Sequence, residues 1–164
     1  KSTNNELITL DKIRGKKGTL IMFICNHCPY VKAIIKDIVK DTSLLKTEGI
    51  NSVAIMSNDT INYPDDSFNK MIEFSKKNKF SFPYLIDETQ EIAKKFGAVC
   101  TPDFFGYNNQ LELQYRGRMR ELKDLKPIKE GESELLLAMK LISKTGKGPR
   151  NQIPSMGCNI KWVN

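Results

Sequence analysis

An apolar run that ends on a pair of cysteines constrains this chain more than any other feature. Leu20-Ile21-Met22-Phe23-Ile24 is short and continuous, the pattern of a strand buried on both faces of a parallel sheet. It leads straight into Cys25-Asn26-His27-Cys28-Pro29. Val31, Ile34, Ile35, Ile38 and Val39 then recur at helical spacing, with Lys32, Lys36, Asp37 and Lys40 on the other face. Pro29 suits a first helical turn, where its missing N–H would have had no partner. The C-x-x-C is thus expected on a strand-to-helix corner, with Cys25 near the N-cap and both thiols open to a partner. Unpaired N–H groups and the positive end of the helix dipole favour a thiolate there. His27, the single histidine of the chain, lies inside the motif and is suited to tuning sulfur chemistry.

Other readings of the cysteines fit less well. A closed zinc site needs a second knuckle of ligands, and Cys100 and Cys158 stand alone, so no metal and no cofactor are expected. Four cysteines in 164 residues are too few for a disulfide-stapled scaffold, and the chain is long enough to bury a proper core. Asn26 and His27 argue against two packing cysteines, because both are poor core residues. Redox chemistry remains.

The rest of the composition narrows the partners. The net charge of +7 comes with 26 basic residues, of which all but Arg14, Arg116, Arg118, Arg120 and Arg150 are lysines scattered along the chain. That is a solvated surface rather than a nucleic-acid footprint. No apolar run approaches the ~18 residues of a membrane span. No secretory signal is recognisable, which makes the cytoplasm the expected compartment. The chain opens at Lys1 rather than methionine, so a trimmed, periplasmic protein also fits.

Strand and helix patterns alternate along the chain. Ile50 to Ser57 reads as a second buried strand. Asp65-Asp66-Ser67 offers an N-cap to a helix with Phe68, Met71, Ile72 and Phe74 on its apolar side. Pro83 to Ile86 is a short strand, and Asp87 and Gln90 have capping-box spacing before a helix that closes at Gly97. Phe104 to Tyr107 and Leu111 to Arg116 form an expected hairpin around Asn108-Asn109-Gln110. Residues 117–131 read as mostly irregular, Leu135 to Ile142 as a last helix, and Gly146 to Asn164 as a tail. This order predicts an α/β sandwich whose first units are parallel crossovers. The expected organisation is one domain, 1–146, with a C-terminal tail, 147–164, packed on it.

Several motifs sharpen the expectation: Cys25-Asn26-His27-Cys28-Pro29-Tyr30-Val31-Lys32, Ser57-Asn58-Asp59, Tyr63-Pro64-Asp65-Asp66-Ser67-Phe68, Cys100-Thr101-Pro102-Asp103-Phe104-Phe105, Tyr115-Arg116-Gly117-Arg118 and Pro154 to Trp162. With them the chain resembles the thioredoxin-like redoxins, the AhpC/TSA-type, peroxiredoxin-like branch that includes thiol-disulfide oxidoreductases. The resemblance implies a thioredoxin-like three-layer sandwich, a mixed central sheet with helices on both faces. It implies a cis-proline at Pro102 facing the cysteines, with the backbone at Thr101 pairing with an incoming peptide. Two departures stand out. The strand before Cys25 carries no acid, and the peroxiredoxin pattern P-x-x-x-T-x-x-C has Gly18 and Met22 in its proline and threonine places.

The expected activity is dithiol–disulfide exchange. Cys25, as the exposed thiol, attacks a disulfide of a protein or small-thiol substrate, Cys28 resolves the mixed disulfide, and His27 stabilises the Cys25 thiolate. A redox partner then resets the pair. A thiol peroxidase is the alternative, with Arg116 or Arg118 polarising the peroxide; a non-catalytic peptide-binding module is a third. Cys100 and Cys158 are expected either as small apolar fillers or as an accessory thiol that accepts the disulfide from Cys28.

Overall fold

The computed structural model describes residues 1–164. Strand β1 (Gly18–Phe23) is buried along its whole length, and the alternation of its side chains divides the core in two. Leu20 and Met22, with Ile24 just beyond, join the larger cluster. Ile21 and Phe23 face the smaller one. A strand that must satisfy both faces reads as an unbroken apolar run, which is why the pattern was so plain.

Helix α1 (Leu10–Ile13) precedes β1, and α2 (Pro29–Thr47), β2 (Ile50–Met56), α3 (Phe68–Lys77), β3 (Tyr84–Ile86) and α4 (Glu91–Phe96) follow it. Next come the two-residue β4 (Cys100–Thr101), the hairpin β5 (Asp103–Asn108) and β6 (Leu113–Gly117), the short pair β7 (Leu122–Lys123) and β8 (Lys126–Pro127), α5 (Glu134–Thr145) and a terminal β9 (Cys158–Asn159). The main sheet has the order β3-β2-β1-β5-β6. Its first three strands are parallel, and β5 runs antiparallel to β1 with Phe23 opposite Asp103. Helices α2 and α5 supply Val31, Ile34, Ile38, Leu135, Met139 and Ile142 to the larger cluster. Ala93 of α4 and Ile160 of the tail cover the other face. The fold is thioredoxin-like: a mixed sheet between helical layers. No helix is long and apolar enough to cross a membrane.

Local details differ from the sequence reading, each for a physical reason. The C-x-x-C helix begins at Pro29 with Cys28, not Cys25, as its N-cap. Ser67 caps α3 through its hydroxyl, whereas Asp66 lies in a 3-10 turn (Pro64–Asp66) and points away. Asp87 accepts from the first amides of α4, but Gln90 does not complete a capping box, because its side chain holds the tail instead. Leu111 belongs to the hairpin turn, at φ 60°, while Asn108 accepts from the amides of Gln110 and Glu112. The stretch 117–131 contains the β7–β8 pair, and α5 is longer at both ends than the Leu135–Ile142 pattern. Ser133 caps it and also donates to buried Asp41.

Candidate active site

Strand β1 delivers Cys25 to the core edge, and the first turn of α2 fixes Cys28. Neither is open: Cys25 is 1% exposed and Cys28 is fully buried. That corrects the exposed-nucleophile expectation. Against Cys28 lies the chain's own tail, whose β9 pairs antiparallel with β4, Cys158 opposite Thr101 and Asn159 opposite Cys100. The edge at Thr101, expected to receive an incoming peptide, is therefore occupied. The Thr101–Pro102 bond is cis. Thr101 meets both sulfurs of the motif, with Oγ1 3.5 Å from Cys25 Sγ and its carbonyl 3.3 Å from Cys28 Sγ.

The two thiols share a hydrogen bond that moves them in opposite directions. Cys28 is pulled down to about 4, first by the hydrogen bond from Cys25, against burial, and then by donors at Cys158 and the Val31 amide. Cys25 is driven up, first by the same hydrogen bond, then by burial and by the charge of Asp66. The Thr101 carbonyl can only accept, so it favours a protonated Cys28, whereas the Thr101 hydroxyl joins the donors that lower it. A lowered Cys28 fits its place as the N-cap residue, beside the unpaired amides of the first turn.

Asp66 is the residue that sequence reasoning missed. Fully buried, its carboxylate accepts from the Asn26 amide at 2.8 Å and from Asn58 Nδ2 at 2.9 Å. Asn26 in turn accepts from the Tyr84 hydroxyl at 2.8 Å. His27 Nδ1 lies 2.6 Å from Asp66 Oδ2 without hydrogen-bond alignment, and its ring stacks on Tyr63. A buried acid thus reaches the motif from the turn before α3 rather than from β1. Three consecutive cap-type residues, Asp65-Asp66-Ser67, where one would do, were the available signal. Cys25, His27 and Asp66 bring one donor atom each within 4.8 Å of one another, and no fourth such residue joins them. With Asp66 already accepting from two asparagines, the trio reads as a polar network around sulfur.

The remaining expected residues lie to the side. Arg116 bonds the Gly97 carbonyl, reaches Asp103 at 3.4 Å and covers the Phe105 ring. Arg118 is held by Glu134 and Glu121. Cys100 Sγ contacts the Pro102 carbonyl at 3.6 Å, and burial raises it to about 11. Cys158 Sγ, by contrast, is 2.9 Å from Cys28 Sγ. Beside His27 opens a cleft of about 730 Å³ with Lys32, Lys36, Lys70 and Lys77 on its walls.

A mixed sheet with two cysteines at the β1–α2 corner, facing a cis-proline before β5, defines a thioredoxin-like protein. The chain belongs to the AhpC/TSA family, whose pattern matches residues 1–121. A redox role in thiol chemistry follows from that membership. An uncharacterized conserved protein from Geobacillus kaustophilus is 36% identical, with a TM-score of 0.92 over 99% of this chain and 86% of that one. A hypothetical protein from Sinorhizobium meliloti is 33% identical, with a TM-score of 0.90 over 98% of this chain and 88% of that one. A secreted disulfide oxidoreductase of Mycobacterium tuberculosis shares the fold at 15% identity, with a TM-score of 0.58 over 69% of this chain and 77% of that one. No curated protein matches.

Proposed function

We propose that the protein is a thiol–disulfide oxidoreductase whose working dithiol is Cys25–Cys28, within a domain of residues 1–146 served by the tail 147–164. The observation that carries this reading is that one residue, Thr101, beside the cis-proline, meets both sulfurs of the motif, while the hydrogen bonds to Cys28 hold its thiol below the usual range. A stabilised thiolate is a good leaving group and favours the reduced form, so the disulfide is oxidising. In the oxidised protein a substrate thiolate attacks the Cys25 sulfur. The Cys25–Cys28 bond breaks, Cys28 departs with the electron pair, and the mixed disulfide rests on Cys25. A second substrate thiolate releases it. In the opposite direction Cys25 passes its proton to Cys28 and attacks a substrate disulfide; the first substrate thiolate to leave takes that proton, and the Cys28 thiolate then attacks the Cys25 sulfur, closing the Cys25–Cys28 bond as the second substrate thiolate departs. Protein disulfides and small thiols both fit, and either reaches Cys25 only when its cover opens. The expected potential lies above the roughly −270 mV of thioredoxin.

Peroxidase chemistry is less well supported. A Cβ at Gly18 would meet the Tyr107 carbonyl and Ile50 Cδ1 at 2.6 Å, so no proline fits the peroxiredoxin position, and Arg116 and Arg118 are held by carboxylates. Nor is a peptide-binding module favoured, because the β4 edge is taken.

The test is Cys28→Ser in oxidised glutathione, followed by intact mass and peptide mapping. It is expected to retain one glutathionyl group on Cys25, whereas the parent passes on to an internal disulfide. Equal turnover by Cys28→Ser and the parent would overturn the assignment.

A further inference from the structure

We infer that Cys158 is a third redox thiol of this site, one that takes the disulfide over from Cys25 by bonding to Cys28. The inference rests on the dithiol reading above. Its geometric ground is the 2.9 Å separation of Cys28 Sγ and Cys158 Sγ, within about 1 Å of a disulfide bond length. The approach is built in by the backbone. Cys158 is opposite Thr101 in the β4–β9 pair, the same Thr101 that touches Cys25 and Cys28. Gly157 lets the strand come this close, since any side chain there would collide with the Thr101 carbonyl.

The tail is stitched in place on both sides of the thiol. Gly117 O accepts from Ser155 Oγ, and Val99 O accepts from the Ile160 amide. Asn58 Oδ1 accepts from the Lys161 amide, while Gln90 binds the Lys161 carbonyl and the Val163 amide. A filler residue needs no such register. Cys100 differs: on the same strand as Thr101 it projects the other way and spends its sulfur on the Pro102 carbonyl.

The step is a thiol–disulfide exchange and needs no further oxidant. In the oxidised protein the Cys158 sulfur, as thiolate, attacks the Cys28 sulfur. The Cys28–Cys158 bond forms, the Cys25–Cys28 bond breaks, and Cys25 leaves with the electron pair and takes up the proton that Cys158 lost. The disulfide moves from a fully buried pair to one whose second member is half-buried, and Cys25 returns to the thiol.

Wild-type protein and Cys158→Ser are equilibrated in glutathione buffers, quenched in acid, alkylated and mapped by mass spectrometry. The expected result is two linked peptides in the wild type, Cys25–Cys28 and Cys28–Cys158, with the second lost in Cys158→Ser. Cys25→Ser is expected to oxidise to Cys28–Cys158 alone. A wild-type map with only Cys25–Cys28, and Cys158 alkylated throughout, overturns the relay and leaves the oxidoreductase reading standing. A map with no linkage at Cys25 or Cys28 overturns both.

Discussion

Asp66 reaches the site from 40 residues beyond Asn26, and its charge has two separable effects. It accepts from two buried donors, and it opposes ionisation of Cys25. In Asp66→Asn, one of those donors faces an amide nitrogen or loses its partner, so unfolding in urea should show a loss of about 1–3 kcal/mol. The Cys25 titration should move down, because a repelling charge has gone. The dithiol makes its own prediction. Ultraviolet thiolate absorbance of the reduced protein should retain one thiolate until the pH falls through about 4, and gain the second only above the ordinary thiol range. Cys28→Ser should abolish the low step; an unchanged curve would place the thiolate elsewhere. The cysteine pair was legible because its signal is local, spanning Leu20 to Val39. Asp66 was not, since a residue that reads as a helix cap acquires its role only when the turn before α3 is laid against the β1–α2 corner.

Among the elements, those with many periodic residues were the legible ones. Helix α2 carries five apolar positions at helical spacing and a proline at its start, and its buried face matches them closely. The β7–β8 pair turns through Asp124 and Leu125 at positive φ; leucine there reverses ordinary turn chemistry, so no sequence signal existed. Strand β9 is two residues long, too short for any pattern, and is defined entirely by its partner. That partner makes it testable. Gly157→Ala places a methyl group against the Thr101 carbonyl and the Pro102 ring, and backbone cannot yield as a flexible side chain would. The expected outcome is faster alkylation of Cys158 and faster amide exchange in β4 and β9, with the main sheet unaffected. Alkylation at the parental rate would mean that the tail tolerates the clash by shifting.

For the molecule as a whole, the strand directions followed from the succession of crossovers and one hairpin, since parallel neighbours need a helix between them and antiparallel ones do not. How the chain's end would meet its beginning could not follow from any local rule. Cys28 and Cys158 are 130 positions apart, whereas Cys25 and Cys28 are neighbours. The two linkages are alike in oxidation state and unlike in what they do to the unfolded chain. On the loop-entropy relation, tying the near pair removes freedom equivalent to about 2 kcal/mol and tying the distant pair about 5 kcal/mol. Oxidised Cys25→Ser, which can join only the distant pair at this site, should therefore resist urea more than its reduced form by several kcal/mol. A midpoint that does not rise on oxidation would mean that the link strains the fold as much as it restrains the coil. Passing one bond between neighbouring sulfurs would then change the mechanical closure of nearly the entire polypeptide, from a small ring at one corner to a loop that encircles the domain.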